Sequence, residues 1–143
     1  MRNRSKKAFT LVEILIVVVI LGILAAIVVP QFTNATQDAQ TGNLRAQIKS
    51  LQNQIELFKA RNNYYPDLVA NGWDALIDPN GDGDLSDGYI KKAPKTPAAP
   101  AAVQEVIGAT AAATCGWHYD VTTGTLGATF YDEDNDVLTP GQP

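Results

Sequence analysis

The stretch that decides the fold is "KKAFTLVEILIVVVILGILAAIVVPQF", residues 6–32. Its apolar part, from Phe9 to Val29, spans about 31 Å as an α-helix, close to the hydrocarbon thickness of a bilayer. Basic residues precede this part, and none follows it before Arg45. The positive-inside rule therefore predicts a single span with a cytoplasmic N-terminus and the rest of the chain outside.

Three ordinary explanations compete for this apolar segment: a cleaved signal peptide, a permanent membrane anchor and a buried core helix. The run is too long and too rich in Val and Ile for a typical core helix. It also continues past Ala25-Ala26, a weak cleavage site, and is longer than the apolar region of most signal peptides. None of the three explains Glu13, because a charge deep in hydrocarbon costs roughly 2.5–3.5 kcal/mol. We expect such a carboxylate to be functional, with a cationic partner that another copy of the chain could supply.

The same residues resemble the N-terminal signature of the type IV pilin superfamily, which comprises type IV pilins and the pseudopilins of type II secretion systems. The shared features are a short basic leader, a small residue, Phe-Thr-Leu-Val-Glu and an apolar run with Gly22 and Pro30. The resemblance implies that a prepilin peptidase cuts between Ala8 and Phe9 and methylates the new amine of Phe9. The superfamily usually has glycine before the cut, where this chain has Ala8.

The resemblance also implies an assembly role for Phe9, Glu13, Gly22 and Pro30. The Glu13 carboxylate would attract the positively charged N-terminus of a neighbouring subunit in a filament. In a low-dielectric filament core an unpaired subunit is penalised, so this charge selects register more than it adds stability. Gly22 and Pro30 would let the segment between them lose helicity when subunits pack.

After Pro30 the sequence predicts the second, amphipathic half of one long helix. Its apolar stripe recurs every three or four residues, at Leu44, Ile48, Leu51, Ile55 and Phe58. The helix is expected to end near Asn62-Asn63, before Pro66. The predicted fold is α+β: a long N-terminal helix, transmembrane in its first half, packed on a small antiparallel β-sheet head.

The predicted organisation has five parts, beginning with the leader. They are the basic leader 1–8, the transmembrane and polymerisation helix 9–30, the amphipathic half 31–63, a loop region 64–100, and a β-sheet head with C-terminal loop 101–143. "CGWHYDVTTGTLGATFYD" predicts a hairpin, because apolar residues alternate on either side of Thr-Thr-Gly-Thr. Residues 103–107 are expected to add a short strand, and "APKTPAAPAA" reads as an extended, exposed linker.

"DPNGDGDLSDGY" is a candidate calcium loop. Its oxygen-bearing side chains at alternate positions, followed by glycine, match the first half of an EF-hand loop. The candidate ligands are Asp78, Asn80, Asp82, Asp84, Ser86 and Asp87. The match fails at the last position, where Tyr89 replaces the bidentate Glu, so a solvated acidic turn is the alternative. A second acidic stretch, "YDEDNDV", lacks the glycine and is expected to be a plain turn.

Composition and charge exclude some functions. The net charge is −4, and without the four basic residues of 1–8 it is −8, which argues against nucleic acid as a partner and suits cation binding. The single cysteine, Cys115, cannot form an internal disulfide. His118 and Cys115 are near neighbours in a strand pattern and are poorly placed to form a catalytic pair, so no enzymatic activity is expected.

Taken together, the residues and the resemblance predict a structural subunit that polymerises through its N-terminal helix. The favoured identity is a major pseudopilin of a type II secretion system, which forms a homopolymer and depends on a prepilin peptidase, an assembly ATPase and an inner-membrane platform protein. The expected location is the inner membrane, with a periplasmic or extracellular head. The alternatives are the major pilin of a type IV pilus and a monomeric, membrane-anchored calcium-binding module.

Overall fold

The computed structural model describes residues 9–139, and for residues 29–34 it describes the backbone alone. The chain divides into two compact units, with the boundary between Asp38 and Ala39. A single helix, α1, is assigned from Leu11 to Asn62 and includes both Gly22 and Pro30. The leader, with Ala8, lies outside the described residues.

The C-terminal end of α1 is set by Asn63. This residue adopts a left-handed backbone conformation (φ 63°), and its N–H donates to the carbonyl of Lys59 at 2.7 Å. Asn is one of the few residues that tolerate this conformation after a helix. Lys59 and Arg61 lie in the last turn, where positive charge suits the helix dipole. The predicted end of the helix is confirmed.

The core of the second unit forms on the predicted apolar stripe of α1. Leu44 and Ile55 are fully buried, Leu51 and Phe58 nearly so, and Ile48 packs at the edge of the same cluster. Two short helices and a small sheet, which follow α1 in the chain, form the opposite side of the core. Their buried residues are Leu68, Trp73, Leu76, Trp117, Tyr119, Leu126 and Ala128. The prediction that this stripe packs on the head is therefore confirmed.

A small sheet follows in the order β1-β2-β3, with β1 at Ile107–Gly108, β2 at Trp117–Asp120 and β3 at Thr125–Ala128. Strands β2 and β3 form the predicted antiparallel hairpin. A second hairpin joins β4, Tyr131–Asp132, to β5, Val137–Leu138, and its connection is a turn within the acidic stretch "YDEDNDV". The α+β class is confirmed.

Two details of the predicted head are wrong, both concerning β1. The strand occupies Ile107–Gly108 rather than 103–107, and it pairs with β2 in parallel. The physical reason is the return of the chain at Gly116 and Trp117, whose N–H groups both donate to the Val106 carbonyl at 3.0 Å. Gly116 permits this approach, because a Cβ there would meet the Val103 carbonyl oxygen at 2.6 Å.

The loop region is more ordered than its sequence suggests. Two four-residue helices, α2 at Leu68–Asn71 and α3 at Asp74–Ile77, follow α1 within the region predicted as loop. The Pro/Ala segment is also not fully exposed, since Thr96 and Ala99 are buried. The Trp117 indole N–H donates to the Pro94 carbonyl of this segment at 3.2 Å, and to the Gln104 carbonyl just beyond it at 2.9 Å.

A single side chain on α1 fixes the hairpin to the helix. The Gln52 amide donates to the Gly124 carbonyl at 2.7 Å, and its oxygen accepts the Leu126 N–H at 3.1 Å. Gly124 has a positive φ of 73°, which suits glycine in the turn between β2 and β3. The Tyr65 ring also lies close against Gly124, so any side chain there would displace the ring.

Candidate functional site

The first candidate site is the start of α1, where Thr10 and Glu13 bond to each other reciprocally. The Thr10 N–H and hydroxyl both donate to Glu13 Oε2, at 2.8 and 2.9 Å. In return the Glu13 N–H donates to Thr10 Oγ1 at 3.2 Å. This is a capping box, which satisfies two backbone donors that the first turn of a helix leaves without partners.

The capping box gives Glu13 a role within its own chain that the sequence interpretation missed. That interpretation looked for a cationic partner only. The signal was present, because Thr-x-x-Glu before an apolar run is the sequence signature of a capping box. The carboxylate also lies at the positive end of the helix dipole, where a negative charge is favoured. Bonds within the chain itself can therefore hold the Glu13 carboxylate in place.

Phe9 directly precedes the capping box and is 81% exposed. In a chain that began at Phe9, the α-amine would lie one residue before Thr10, whose N–H bonds Glu13. The two predicted assembly partners, amine and carboxylate, thus share one end of α1. Gly22 lies within α1 with open space where a Cβ would stand. Pro30 also lies within the helix.

The apolar part of α1 has no cover within the described chain. The segment Leu11–Val28 has a mean hydropathy of 3.2 and none of it is buried. It is long and apolar enough to cross a membrane, and it is the one such segment among residues 9–139. The core-helix explanation is wrong, because a core helix would be buried. So large an exposed apolar surface requires lipid or other copies of the chain around it.

The second candidate site is the acidic loop, residues 78–87, which folds around Asp78. This carboxylate accepts the N–H groups of Gly81, Asp82 and Gly83 at 2.8, 3.2 and 2.9 Å. Gly81 and Gly83 both have positive φ, at 69° and 82°, as a tight loop of this kind requires. The loop is therefore organised largely by bonds from its own backbone to one carboxylate.

The remaining predicted ligands lie along the same loop. Asp82 accepts the Asp84 N–H and Asp84 accepts the Ser86 N–H, at 2.8 and 2.9 Å. The bond from the Ser86 N–H, with the Ser86 side chain second, lowers the pKa of Asp84. Asn80 donates its side-chain amide to Asp87 Oδ2, while Asp87 Oδ1 is buried without a partner in the part of the chain that the structure describes.

The donor chemistry of this loop fits a hard cation, because every candidate ligand atom is oxygen. The side chains are not gathered around one point, however: no three His, Cys, Asp or Glu groups within residues 9–139 could hold a metal ion together. Tyr89, at the position of the missing Glu, packs its ring on Phe58 at 5.2 Å between centroids. Calcium binding by Asp78, Asn80, Asp82, Asp84, Ser86 and Asp87 stays a prediction.

Cys115 and His118 have separate surroundings. Cys115 is buried, and its Sγ lies 3.4 Å from the Ala112 carbonyl oxygen and 3.6 Å from Thr129 Oγ1. His118 lies on β2 with its ring against Gly127 of β3, near Glu133. The cysteine is thus held by backbone and hydroxyl oxygens, and the histidine lies against the neighbouring strand.

Comparison with known sequence families gives two matches that adjoin each other along the chain. Residues 3–29 match the family described as the prokaryotic N-terminal methylation motif. Residues 31–109 match the family described as type II secretion system (T2SS), protein G. The first match covers the leader and the start of α1, and the second covers the amphipathic half, the acidic loop and β1.

The chain is similar to several curated proteins named type II secretion system core protein G. The protein from Pseudomonas aeruginosa is 38% identical over 102 residues, which cover 68% of this chain and 71% of the relative. The protein from Vibrio cholerae is 37% identical over 100 residues, 67% of this chain and 68% of the relative. The Escherichia coli K12 protein is 32% identical over 98 residues, 65% and 67% of the two chains. No solved structure matches the chain significantly.

Proposed function

The chain belongs to the family of type II secretion system protein G, the major pseudopilins, and from that membership we propose how it is processed and how it assembles. It is a structural subunit of a type IV pilin-like filament, anchored in a membrane by its N-terminal helix. The observation that carries the assembly proposal is the Thr10–Glu13 capping box, which holds a carboxylate ready at the exposed end of an apolar helix.

Processing is proposed to expose the amine that assembly needs. A prepilin peptidase would cut between Ala8 and Phe9 and methylate Phe9, and the methylation-motif match over residues 3–29 supports this. The basic residues before the span favour a cytoplasmic N-terminus, which leaves the head on the periplasmic side. An assembly ATPase and an inner-membrane platform protein would then drive polymerisation, as expected for this class of filament.

Glu13 is proposed to exchange partners during assembly. In the single subunit its carboxylate is held by Thr10, so the charge has hydrogen bonds before a neighbour is present. In the filament the amine of a neighbouring Phe9 would approach the same carboxylate. Within a low-dielectric core that attraction is strong when the pair is in register, and an unpaired charge is costly. Correct docking is thereby favoured over slipped docking.

Substitution of Glu13 by Gln and by Ala separates capping from charge pairing. Gln also occupies this position of a capping box, so Glu13→Gln should keep the helix start while it removes the charge. We expect both variants to insert into the membrane and neither to form filaments. Filament yield by electron microscopy and membrane fractionation give the two measurements. Normal filaments from Glu13→Gln would show that charge pairing is unnecessary and that capping suffices.

The mass and N-terminal sequence of the cell-derived protein test the processing step. A chain that starts at methylated Phe9 supports the pseudopilin proposal. An intact Met1 supports the monomeric anchored module, and a start beyond Ala26 supports a signal peptide. The major pilin of a type IV pilus shares the Phe9 start. Restoration of protein export, rather than twitching or adhesion, in a strain that lacks its own protein G would favour the pseudopilin over that pilin.

We also propose that the acidic loop binds calcium. The support is the all-oxygen donor set, the two glycines with positive φ and the buried Asp87 oxygen that has no donor in the described chain. Calcium binding would require the carboxylates within residues 78–87 to move closer to one another around the ion. It would also tie down a loop that this chain, with one cysteine, cannot fix by an internal disulfide.

Calcium titration of the full chain in detergent tests this proposal. Calorimetry should show saturable binding, and the melting temperature of the head should rise with calcium and fall when a chelator removes it. Asp87→Asn should remove that response, whereas Asp134→Asn, in the other acidic turn, should retain it. No heat of binding and no rise in melting temperature for the unmodified chain would exclude the site.

A further inference from the structure

Asparagine directly precedes glycine at two places in the chain, Asn71–Gly72 and Asn80–Gly81. At such a step the backbone nitrogen of glycine can attack the side-chain carbonyl carbon of asparagine, because glycine has no Cβ to obstruct the approach. A bond forms between this nitrogen and Cγ, and the side-chain amide leaves as ammonia with the proton of the nitrogen. The resulting cyclic imide takes up water and opens to aspartate or isoaspartate. Both steps carry the same sequence signal, so the fold decides whether they differ in reactivity.

The acidic loop holds the Asn80–Gly81 step in an unreactive arrangement. The Gly81 N–H donates to Asp78 Oδ1 at 2.8 Å, so the nitrogen that would attack is already bonded to a carboxylate. The negative charge of that carboxylate also opposes the loss of the proton that makes the nitrogen nucleophilic. The Asn80 side-chain amide, which would leave, donates to Asp87 Oδ2. Both reacting groups must therefore give up hydrogen bonds before they can meet.

The Asn71–Gly72 step lacks these restraints. Asn71 is exposed, and its side-chain amide has no hydrogen-bond partner within the described residues 9–139. Gly72 follows the last residue of α2, and in the described head its N–H makes no capping bond, whereas the Asp78 N–H after α3 donates to the Asp74 carbonyl. The backbone of Asn71 is held by the bond from its N–H to the Asp67 carbonyl, at 3.1 Å. The last turn of this short helix can therefore open at little cost.

We propose that Asn71 is a site of spontaneous deamidation in the folded head, and that the hydrogen bonds of the acidic loop protect Asn80 from the same reaction. The two rates depend on how readily each step reaches the conformation in which the glycine nitrogen meets the asparagine Cγ. Local opening of a folded protein costs least where few bonds hold the backbone. Two additional hydrogen bonds of ordinary strength correspond to a rate difference of about fivefold to a hundredfold. The reaction requires only the folded head and water, so it does not depend on the proposed function.

Deamidation at Asn71 would disturb the core of the head, because Trp73 follows two residues later. Trp73 is buried, and its indole N–H donates to the Glu105 carbonyl at 2.7 Å. Leu68, at the start of α2, is fully buried. Isoaspartate carries the chain through its side-chain carbon, so it lengthens the backbone by one carbon between these two buried residues. We therefore expect a head that carries isoaspartate to melt at a lower temperature than one that carries asparagine.

Incubation of the full chain in detergent at mildly alkaline pH tests the proposal. Mass spectrometry of proteolytic peptides should show the exchange of amide for carboxyl at Asn71 about fivefold or more faster than at Asn80. The new carboxyl group should contain oxygen from isotopically labelled water. In denaturant the two rates should become similar, because only the local sequence then acts. No reaction at Asn71 in the folded chain, or one no faster than at Asn80, would overturn the proposal.

Asp78→Ala tests the protection of Asn80 directly. It removes the carboxylate that holds the Gly81 N–H, so Asn80 should deamidate faster and approach its rate in denaturant. The rate at Asn71 should stay unchanged, and tryptophan fluorescence should show that the head is still folded. The matched control, Asp134→Ala in the other acidic turn, should change neither rate. An unchanged rate at Asn80 in Asp78→Ala would overturn the protection assigned to the acidic loop.

Asn71→Gln tests the consequence for stability. Glutamine keeps the amide, but its additional methylene group enlarges the ring that must close, so its deamidation is far slower. After prolonged incubation the melting temperature of the unmodified chain should fall, whereas that of Asn71→Gln should be retained. Asn71→Asp, measured without incubation, shows how much of the fall is due to charge alone. A fall of the same size in Asn71→Gln would overturn the role given to Asn71 in this loss of stability.

Discussion

His118, the single histidine of the chain, makes the stability of the head depend on pH. Burial lowers its pKa below the ordinary value of 6.5, and the Glu133 carboxylate opposes this by raising it. The lowered pKa means that the unfolded chain binds a proton more readily than the folded one does. The stabilisation is therefore complete above pH 6.5 and is lost as the pH falls below that value.

The melting temperature of the full chain in detergent should accordingly fall between pH 7.5 and 5.5. Both tryptophans, Trp73 and Trp117, lie in the core of the head, so their fluorescence reports its unfolding. His118→Gln should flatten this pH dependence, because Gln does not titrate. Glu133→Gln should steepen it, because the opposing carboxylate is gone. The same slope in all three proteins would show that another group is responsible.

Substitution of Ile55 tests how the amphipathic half of helix α1 packs against the head. It is fully buried on the apolar stripe, whereas Leu57, two residues on, is 41% exposed. Ile55→Ala should lower the free energy of unfolding of the head by about 2–5 kcal/mol, since it leaves a cavity. Leu57→Ala, the matched control, should cost less than about 1 kcal/mol. Urea unfolding followed by tryptophan fluorescence measures both, and similar losses would contradict the predicted stripe.

The elements that the sequence predicted correctly are those with local, periodic signals. The stripe from Leu44 to Phe58 repeats with the helix period, and the β2–β3 hairpin alternates on both sides of a turn. The parallel pairing of β1 was missed because it depends on contacts of Gly116 with residues ten or more positions earlier. The Pro/Ala segment was predicted to be exposed because nothing local shows that Trp117 bonds the Pro94 carbonyl.

Across the whole molecule, the candidate sites also differ in whether a local sequence pattern predicts them. Glu13 stands out in the sequence as a charge beside an apolar run, and even its bond to Thr10 has a local signature. A depression lined by Asp67, Ala109 and Tyr119 has none, since these residues come from three separate stretches of the chain. The surface of the folded head therefore could not be predicted from local patterns, whereas the apolar segment can be read from the first thirty residues.

Co-expression of the unmodified chain with Glu13→Gln tests the proposed polymer as a whole. Each subunit in a head-to-tail contact supplies an amine to one neighbour and a carboxylate to another. The Glu13→Gln chain keeps the amine but lacks the carboxylate, so it can join a filament and then interrupt it. At equal expression and with random mixing, about half of the contacts would be incomplete, and uninterrupted runs would average about two subunits.

We therefore expect filaments to be far scarcer and shorter than a loss of half the subunits would produce. Electron microscopy of filament length, together with the amount of sheared filament, measures this as the ratio of the two chains is varied. Co-expression with Asp134→Asn, which leaves the N-terminal contact intact, is the matched control and should have no such effect. Filaments of normal length at about half the normal amount would show that the altered chain is simply left out, and that its amine alone does not bring a subunit into the polymer.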